Sequence, residues 1–218
     1  MLKALVWKEF RELLPMVALA LVAEFALVCS AMGMRLGLAT MERGEIPFIG
    51  TDLRSFVTHV PAIFAIVMAL WQTWWESSRG TFLFLLHRPL PRSEIVAAKL
   101  LLGTALCLIV SFLPSFGYAL WAAAPGTHAS PFDWSMTAST WRECLAIPGL
   151  YFGGFLSGLR PARWFVSRFF PLAASVAMLL FQESAPEGFA PLLVGLGLAI
   201  DAYFVWVIFN VAATRDFS

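Results

Sequence analysis

Charge is what this chain has least of. Charged residues make up 13% of its 218 positions, against about 25% in ordinary soluble domains. It has three cysteines, Cys29, Cys107 and Cys144, far apart in sequence and with no CxxC among them. That spacing gives neither a disulfide framework nor a zinc site. There is no GxxxxGK[ST] loop to cradle a nucleotide and no HExxH pair for a metal. The histidines His59, His87 and His128 fall in separate parts of the chain. Ser157 sits in Gly154-Phe-Leu-Ser-Gly158, which lacks the glycine two places before the serine that a nucleophile elbow needs. The residues therefore offer no catalytic or cofactor-binding set. A net charge of +1 leaves no footprint for nucleic acid.

What is present is hydrocarbon. Hydrophobic residues are 60% of the chain, with 20 Phe and 9 Trp, and the mean hydropathy is +0.78. Disorder is excluded, because disordered chains are poor in such residues. About 130 apolar residues are available, and six membrane spans of about 20 would use about 120. The expected fold is all-α: a polytopic membrane protein with six transmembrane helices and no room for a soluble domain.

Six apolar stretches lie near residues 14–34, 56–75, 95–122, 141–159, 164–181 and 189–213. Pro61, Pro114, Pro148 and Pro171 fall within them or at their ends. They are read as kinks, since neighbouring helices can satisfy the freed backbone groups. Residues 1–13 precede the first stretch. Leu2, Val6, Phe10 and Leu13 recur at helical spacing, while Lys8, Arg11 and Glu12 take other faces. This pattern predicts a short amphipathic helix lying at the membrane surface, with Trp7, Lys8, Phe10 and Arg11 as its interfacial residues. A signal peptide is the rival reading, but Glu24 interrupts the apolar run and no small-residue cleavage site follows.

Basic residues set the orientation. Lys3, Lys8, Arg11, Arg79, Arg88, Arg92, Lys99, Arg160, Arg163, Arg168 and Arg215 fall on one side of the six stretches; Arg35, Arg43, Arg54 and Arg142 fall on the other. Eleven against four predicts both termini in the cytoplasm.

The longest cytoplasmic connection, residues 76–94, carries the most information. An apolar segment from Phe82 to Leu86 is followed by a Pro-flanked basic turn, and Ser93 is placed to cap the next helix. Read plainly, this is an interfacial loop obeying the positive-inside rule. Read more sharply, Phe82, Phe84 and Leu86 are apolar anchors for a cytoplasmic partner, ringed by charge.

The stretch Glu76, Arg79-Gly80-Thr81, Leu85-Leu86, Pro89, Pro91-Arg92, Ile95 and Lys99 resembles the segment between spans two and three of ABC-2 type transporter permeases. Trp7-Lys8-Glu9-Phe10-Arg11-Glu12 is similar to their amphipathic start. The resemblance covers about thirty residues as motif and most of the chain as architecture. Phe84 departs from it, standing where an acidic or polar residue is frequent. So does the connection at residues 182–188, too short for the re-entrant hairpin many such permeases have before the last span. The resemblance implies a permease subunit of a bacterial ABC exporter in the inner, or plasma, membrane. It would pair with a second permease subunit and dock on cytoplasmic ABC ATPase subunits through Glu76, Arg79, Gly80, Thr81, Phe82, Phe84, Leu86, Pro89, Arg92 and Lys99. ATP and Mg would be bound by the ATPase, and no cofactor by this chain. The alternative is a membrane interaction or assembly protein with no link to ATP.

Two acids, Glu24 and Asp201, lie inside apolar stretches, where each costs about 2.5–3.5 kcal/mol on the insertion scale. They either line a substrate or proton pathway or pair with polar groups such as Ser30, Asn210 or a tilted neighbour. Pairing is preferred, because an exporter driven by ATP needs no proton coupling. Gly149, Gly153, Gly154 and Gly158 form two overlapping GxxxG patterns, which let helices approach closely within one subunit or between two.

Overall fold

The computed structural model describes residues 2–33, 46–49, 51–75, 91–127, 131–160, 165–184 and 186–214. Among them there is no strand. Six long helices account for most of them: α1 (Leu2–Ala31), α2 (Thr51–Leu70), α3 (Arg92–Ala123), α4 (Ala138–Leu159), α5 (Phe165–Ser184) and α6 (Ala190–Thr214). A π-helical turn, Trp71–Trp75, extends α2; short 3-10 turns at Trp134–Thr137 and Glu187–Phe189 lead into α4 and α6. Three helices, α1, α3 and α6, are long and apolar enough to cross a membrane.

The first expectation to fall is the separation of a surface helix at 1–13 from a span at 14–34. Helix α1 is continuous through Leu13 and Pro15. The reason lies in its inward face. Leu5, Glu9, Leu13, Val17, Ala20, Glu24 and Val28 are all buried, at spacings of three and four along its whole length. One stripe packs one helix, about 45 Å long. The stripe of Leu2, Val6 and Phe10 is not the buried one: Leu2 is exposed, and Val6 and Phe10 are only half-buried. Ser93 is not a cap either. Pro91 holds the cap position of α3 in an extended conformation, with no side-chain hydrogen bond.

Prolines 15, 61, 114, 148 and 171 all lie inside helices. Near them, hydroxyls turn back onto the backbone: Ser111 donates to the Cys107 carbonyl, Ser115 to Ser111 and Ser175 to Pro171.

Helix directions follow from paired contacts. Glu9 meets Lys99 near the starts of α1 and α3, while Val28 packs with Tyr118 and Ala119 near their ends, so these two run parallel. Thr58 meets Glu143 and Thr73 lies against Gly158, so α2 and α4 are parallel too. Tyr151 on Lys99 and Cys144 on Ser111 set α4 antiparallel to α3. Arg168 on Ser157 and Ser175 on Gly149 set α5 antiparallel to α4. Gln182 bonds to the Leu193 carbonyl across the short α5–α6 connection, and Asp201 reaches Gly149. The six helices therefore alternate in direction.

Helix α4 is the hub, and its residues from Ile147 to Leu159 are buried except the half-buried Phe152. The glycines make this possible. A methyl group on Gly154 would come within 2.9 Å of the Ala69 Cβ of α2, and one on Gly153 within 2.9 Å of the Pro171 carbonyl oxygen of α5. Gly158 accommodates Thr73, and Gly149 accommodates Asp201. All four glycines thus serve contacts within the chain. The outside is as apolar as the inside: Leu19, Val22, Leu101, Phe170, Phe181, Leu192 and Trp206 are all exposed. An apolar exterior of this extent marks contact with lipid or protein.

Candidate functional site

Among the described residues, most of the buried polar side chains gather at three places. The first ties four helices together at the end where α1 begins. Lys99 of α3 is fully buried, and its Nζ lies 2.9 Å from Oε2 of the equally buried Glu9 of α1. The Lys8 ammonium lies 3.6 Å from the other Glu9 oxygen. One turn deeper, the Tyr151 hydroxyl of α4 donates to Gln72 Oε1 of α2 at 2.7 Å and is 2.9 Å from the Lys99 carbonyl. Gly103 leaves room for the Tyr151 ring, since any side chain there would overlap it. The π turn makes the α2 contribution possible. Its wider loop turns two consecutive residues inward: Gln72 to Tyr151 and Thr73 to Gly158. Beside this cluster, Arg168 donates to the carbonyls of Ser157 and Gly158 and stacks over Trp74. A cation there suits the carbonyl-rich end of α4.

The second place lies toward the other end. Thr58 of α2 donates to Glu143 of α4 at 2.7 Å, and the Cys144 thiol meets Ser111 and Ser115 of α3. Glu24 of α1 is buried as deeply as any residue here, and neither carboxylate oxygen has a hydrogen-bond partner among the described residues. Pairing with a polar group such as Ser30, Asn210 or a tilted neighbour is the expectation from the sequence; among the described residues Glu24 has no such hydrogen-bond partner. Asn210 is exposed and donates to the Trp206 carbonyl of its own helix.

The third place is a cavity of about 150 Å³ between α4, α5 and α6, lined by Asp201, Gln182, Arg142, Gly149, Ser175 and apolar side chains including Leu145, Met178 and Leu198. Asp201 is half-buried and makes no hydrogen bond or ion pair with the described residues.

The residues expected to dock a partner divide. Glu76, Arg79, Gly80, Thr81, Phe82, Phe84, Leu86 and Pro89 lie outside the described residues. Arg92 is exposed at the start of α3. Lys99 is corrected: a fully buried side chain cannot touch a soluble partner, and its role is internal. Of the interfacial residues, Trp7 and Arg11 are exposed, Lys8 and Phe10 half-buried, and Trp7 and Phe10 stack at 5.9 Å. Ser157 has a structural task, accepting from the Leu172 backbone N–H. Among the described residues no group of three or more His, Cys, Asp and Glu side chains is placed to hold a metal.

Sequence reasoning missed Glu9, Gln72, Gly103 and Tyr151. One signal was available for the first: Glu9 stands four residues from both Leu5 and Leu13, on an apolar stripe. Searches of known protein families, curated proteins and solved structures find no match to this chain.

Proposed function

We propose that this chain is the membrane-spanning permease subunit of an ABC exporter, with its six helices crossing the inner membrane of a bacterium. Both termini and residues 76–94 then face the cytoplasm, where two ATPase subunits supply the ATP hydrolysis. A second permease subunit completes the pathway. One observation carries the reading. The two stretches that resemble such permeases, residues 7–12 and 76–99, are distant in sequence, and Glu9 and Lys99 join them through a buried ion pair. A push on the connection before α3 would therefore reach α1 directly, which is what coupling between a docking element and the spans requires. The alternating helices support an even number of crossings.

The test is co-purification. The full chain, affinity-purified in detergent from its own membranes, should bring with it an ATPase carrying a phosphate-binding loop, and ATP hydrolysis by that complex should require the ATPase catalytic residues. Truncating two interface anchors at about 2 kcal/mol each should weaken the association several hundred-fold. The variant Phe82→Ala/Leu86→Ala makes that truncation. A folded chain that binds no ATPase overturns the reading in favour of a membrane interaction protein without ATP linkage, whereas a double variant that binds it undiminished makes residues 76–94 an interfacial loop and moves the docking surface elsewhere, to Leu2–Leu13 first.

A further inference from the structure

Among the described residues, the cavity between α4, α5 and α6 joins open volume to unused polar capacity. Its lining is mostly hydrocarbon, from Leu145, Met178 and Leu198 among others. Set into that lining are two acceptors without donors. Asp201 has no partner among the described residues. Gln182 donates through Nε2 to the Leu193 carbonyl at 3.3 Å, and its Oε1 is buried with no partner. A glycine stands beside each of these side chains. A methyl on Gly149 would come within 2.6 Å of Asp201 Oδ1, and one on Gly197 within 2.8 Å of Gln182 Nε2. An unpaired acid and an unpaired amide oxygen in an apolar wall are costly. A donor-rich cation arriving from outside offsets that cost.

Arg142 adds the opposite sign. It lines the same cavity, seven residues before Gly149 on α4 and so about 10 Å along the helix axis. Its Nε donates to the Ala138 carbonyl, and it forms no ion pair with Asp201. The site thus offers the Asp201 carboxylate beside Gly149 and, toward the start of α4, the Arg142 guanidinium, with Gln182 lining the space beside both. At about 150 Å³ it is smaller than the ~300–1,000 Å³ that encloses a drug-sized molecule. It takes the polar end of a molecule whose remainder lies elsewhere.

We infer that this cavity binds the head group of an aminophospholipid, with the primary ammonium on Asp201 and Gln182, the phosphate on the Arg142 side and the acyl chains along the exposed apolar faces of α5 and α6. A primary ammonium brings three N–H donors for two acceptors. A trimethylated ammonium brings none. A glycerol head group brings no positive charge. The inference does not depend on the export reading, since any membrane protein can hold such a lipid.

The experiment uses the full chain, delipidated in detergent and titrated with short-chain phosphatidylethanolamine, phosphatidylcholine and phosphatidylglycerol, with bound lipid counted by native mass spectrometry. Phosphatidylethanolamine should bind at least about tenfold more tightly than either of the others, as expected for a charge-assisted hydrogen bond. Asp201→Asn should remove most of that preference, and Arg142→Gln should weaken phosphatidylethanolamine and phosphatidylglycerol alike. If Asp201→Asn does not fold, Gln182→Leu carries the same comparison, with a smaller loss of preference. Equal binding of the three lipids, or a preference untouched in the folded variants, overturns the assignment.

Discussion

Two glutamates on one helix face make the most instructive contrast in this molecule. Glu9 and Glu24 lie fifteen residues apart on the buried stripe of α1, about 22 Å along its axis. Both are almost wholly removed from solvent. Glu9 faces the Lys99 ammonium, while Glu24 has no hydrogen-bond partner among the described residues. Residue type and burial are thus the same, and the surroundings are opposite. A buried pair, once made, is destabilised most by losing one member, because the other is left as an uncompensated charge. An unpaired buried acid is already in that position, so its removal should help the fold. The contrast separates a group that fastens helices from one that the fold tolerates at a cost.

The sharpest way to break it is Lys99→Met. Glu9 then keeps only the half-exposed Lys8 ammonium at 3.6 Å, and the bundle should lose up to about 3–5 kcal/mol. Thermal unfolding of the purified chain in detergent reads this directly. Adding Glu9→Leu to Lys99→Met should restore most of the loss; a double variant no better than the single one would mean that Lys99 matters for shape alone. Next in size is Gly103→Val, which drives a branched side chain into the Tyr151 ring and should cost about 1–3 kcal/mol by overpacking. Its unfolding temperature should fall, and the equivalent change at Gly117, where nothing lies close, should have far less effect.

On the other side of the comparison, Glu24→Leu should stabilise the chain by about 2 kcal/mol, since it removes an unpaired polar group and keeps apolar volume. A loss of stability in that variant would show that Glu24 holds a partner the described residues do not include. The smallest effect belongs to Tyr151→Phe. It deletes the hydroxyl shared by Gln72 and Lys99 and should cost about 1 kcal/mol. Denaturant unfolding of this variant beside Lys99→Met would rank hydrogen bond against ion pair within one cluster.

Much of the architecture was legible because it rests on local pattern. Apolar runs of span length, with prolines inside them, read as helices, and the described residues are helical there. The small residues of α4 announced a close approach before any neighbour was known. What the sequence concealed depends on distance along the chain. Glu9 and Lys99 are 90 positions apart, and nothing local to either names the other. Tyr151 and Gln72 are separated by 79 positions, and their meeting needs a π turn that no pattern of apolar residues marks. The break expected near Leu13 came from the helical spacing of Leu2, Val6, Phe10 and Leu13, with Lys8, Arg11 and Glu12 on other faces. In the structure the buried face is a different one, and it runs without a break from Leu5 to Val28. Lys99 was grouped with the docking residues by its place in a motif, although a lysine amid Ile95, Val96, Leu100 and Leu101 stands in an apolar run.

The central position of α4 also bears on the order of assembly. Helices α1, α3 and α6 are apolar enough to settle in a bilayer on their own account. Helix α4 gives up part of that character to glycine, serine and proline in order to be surrounded, and most of its length is covered by other helices. Its glycines gain their advantage only once Ala69, Thr73, Ser175 and Asp201 stand opposite them. Two of those four partners are synthesised before α4 and two after it. In a nascent chain that ends before α5, Gly153 and Gly149 lack Ser175 and Asp201, so that flank of α4 is covered only once α5 and α6 are made.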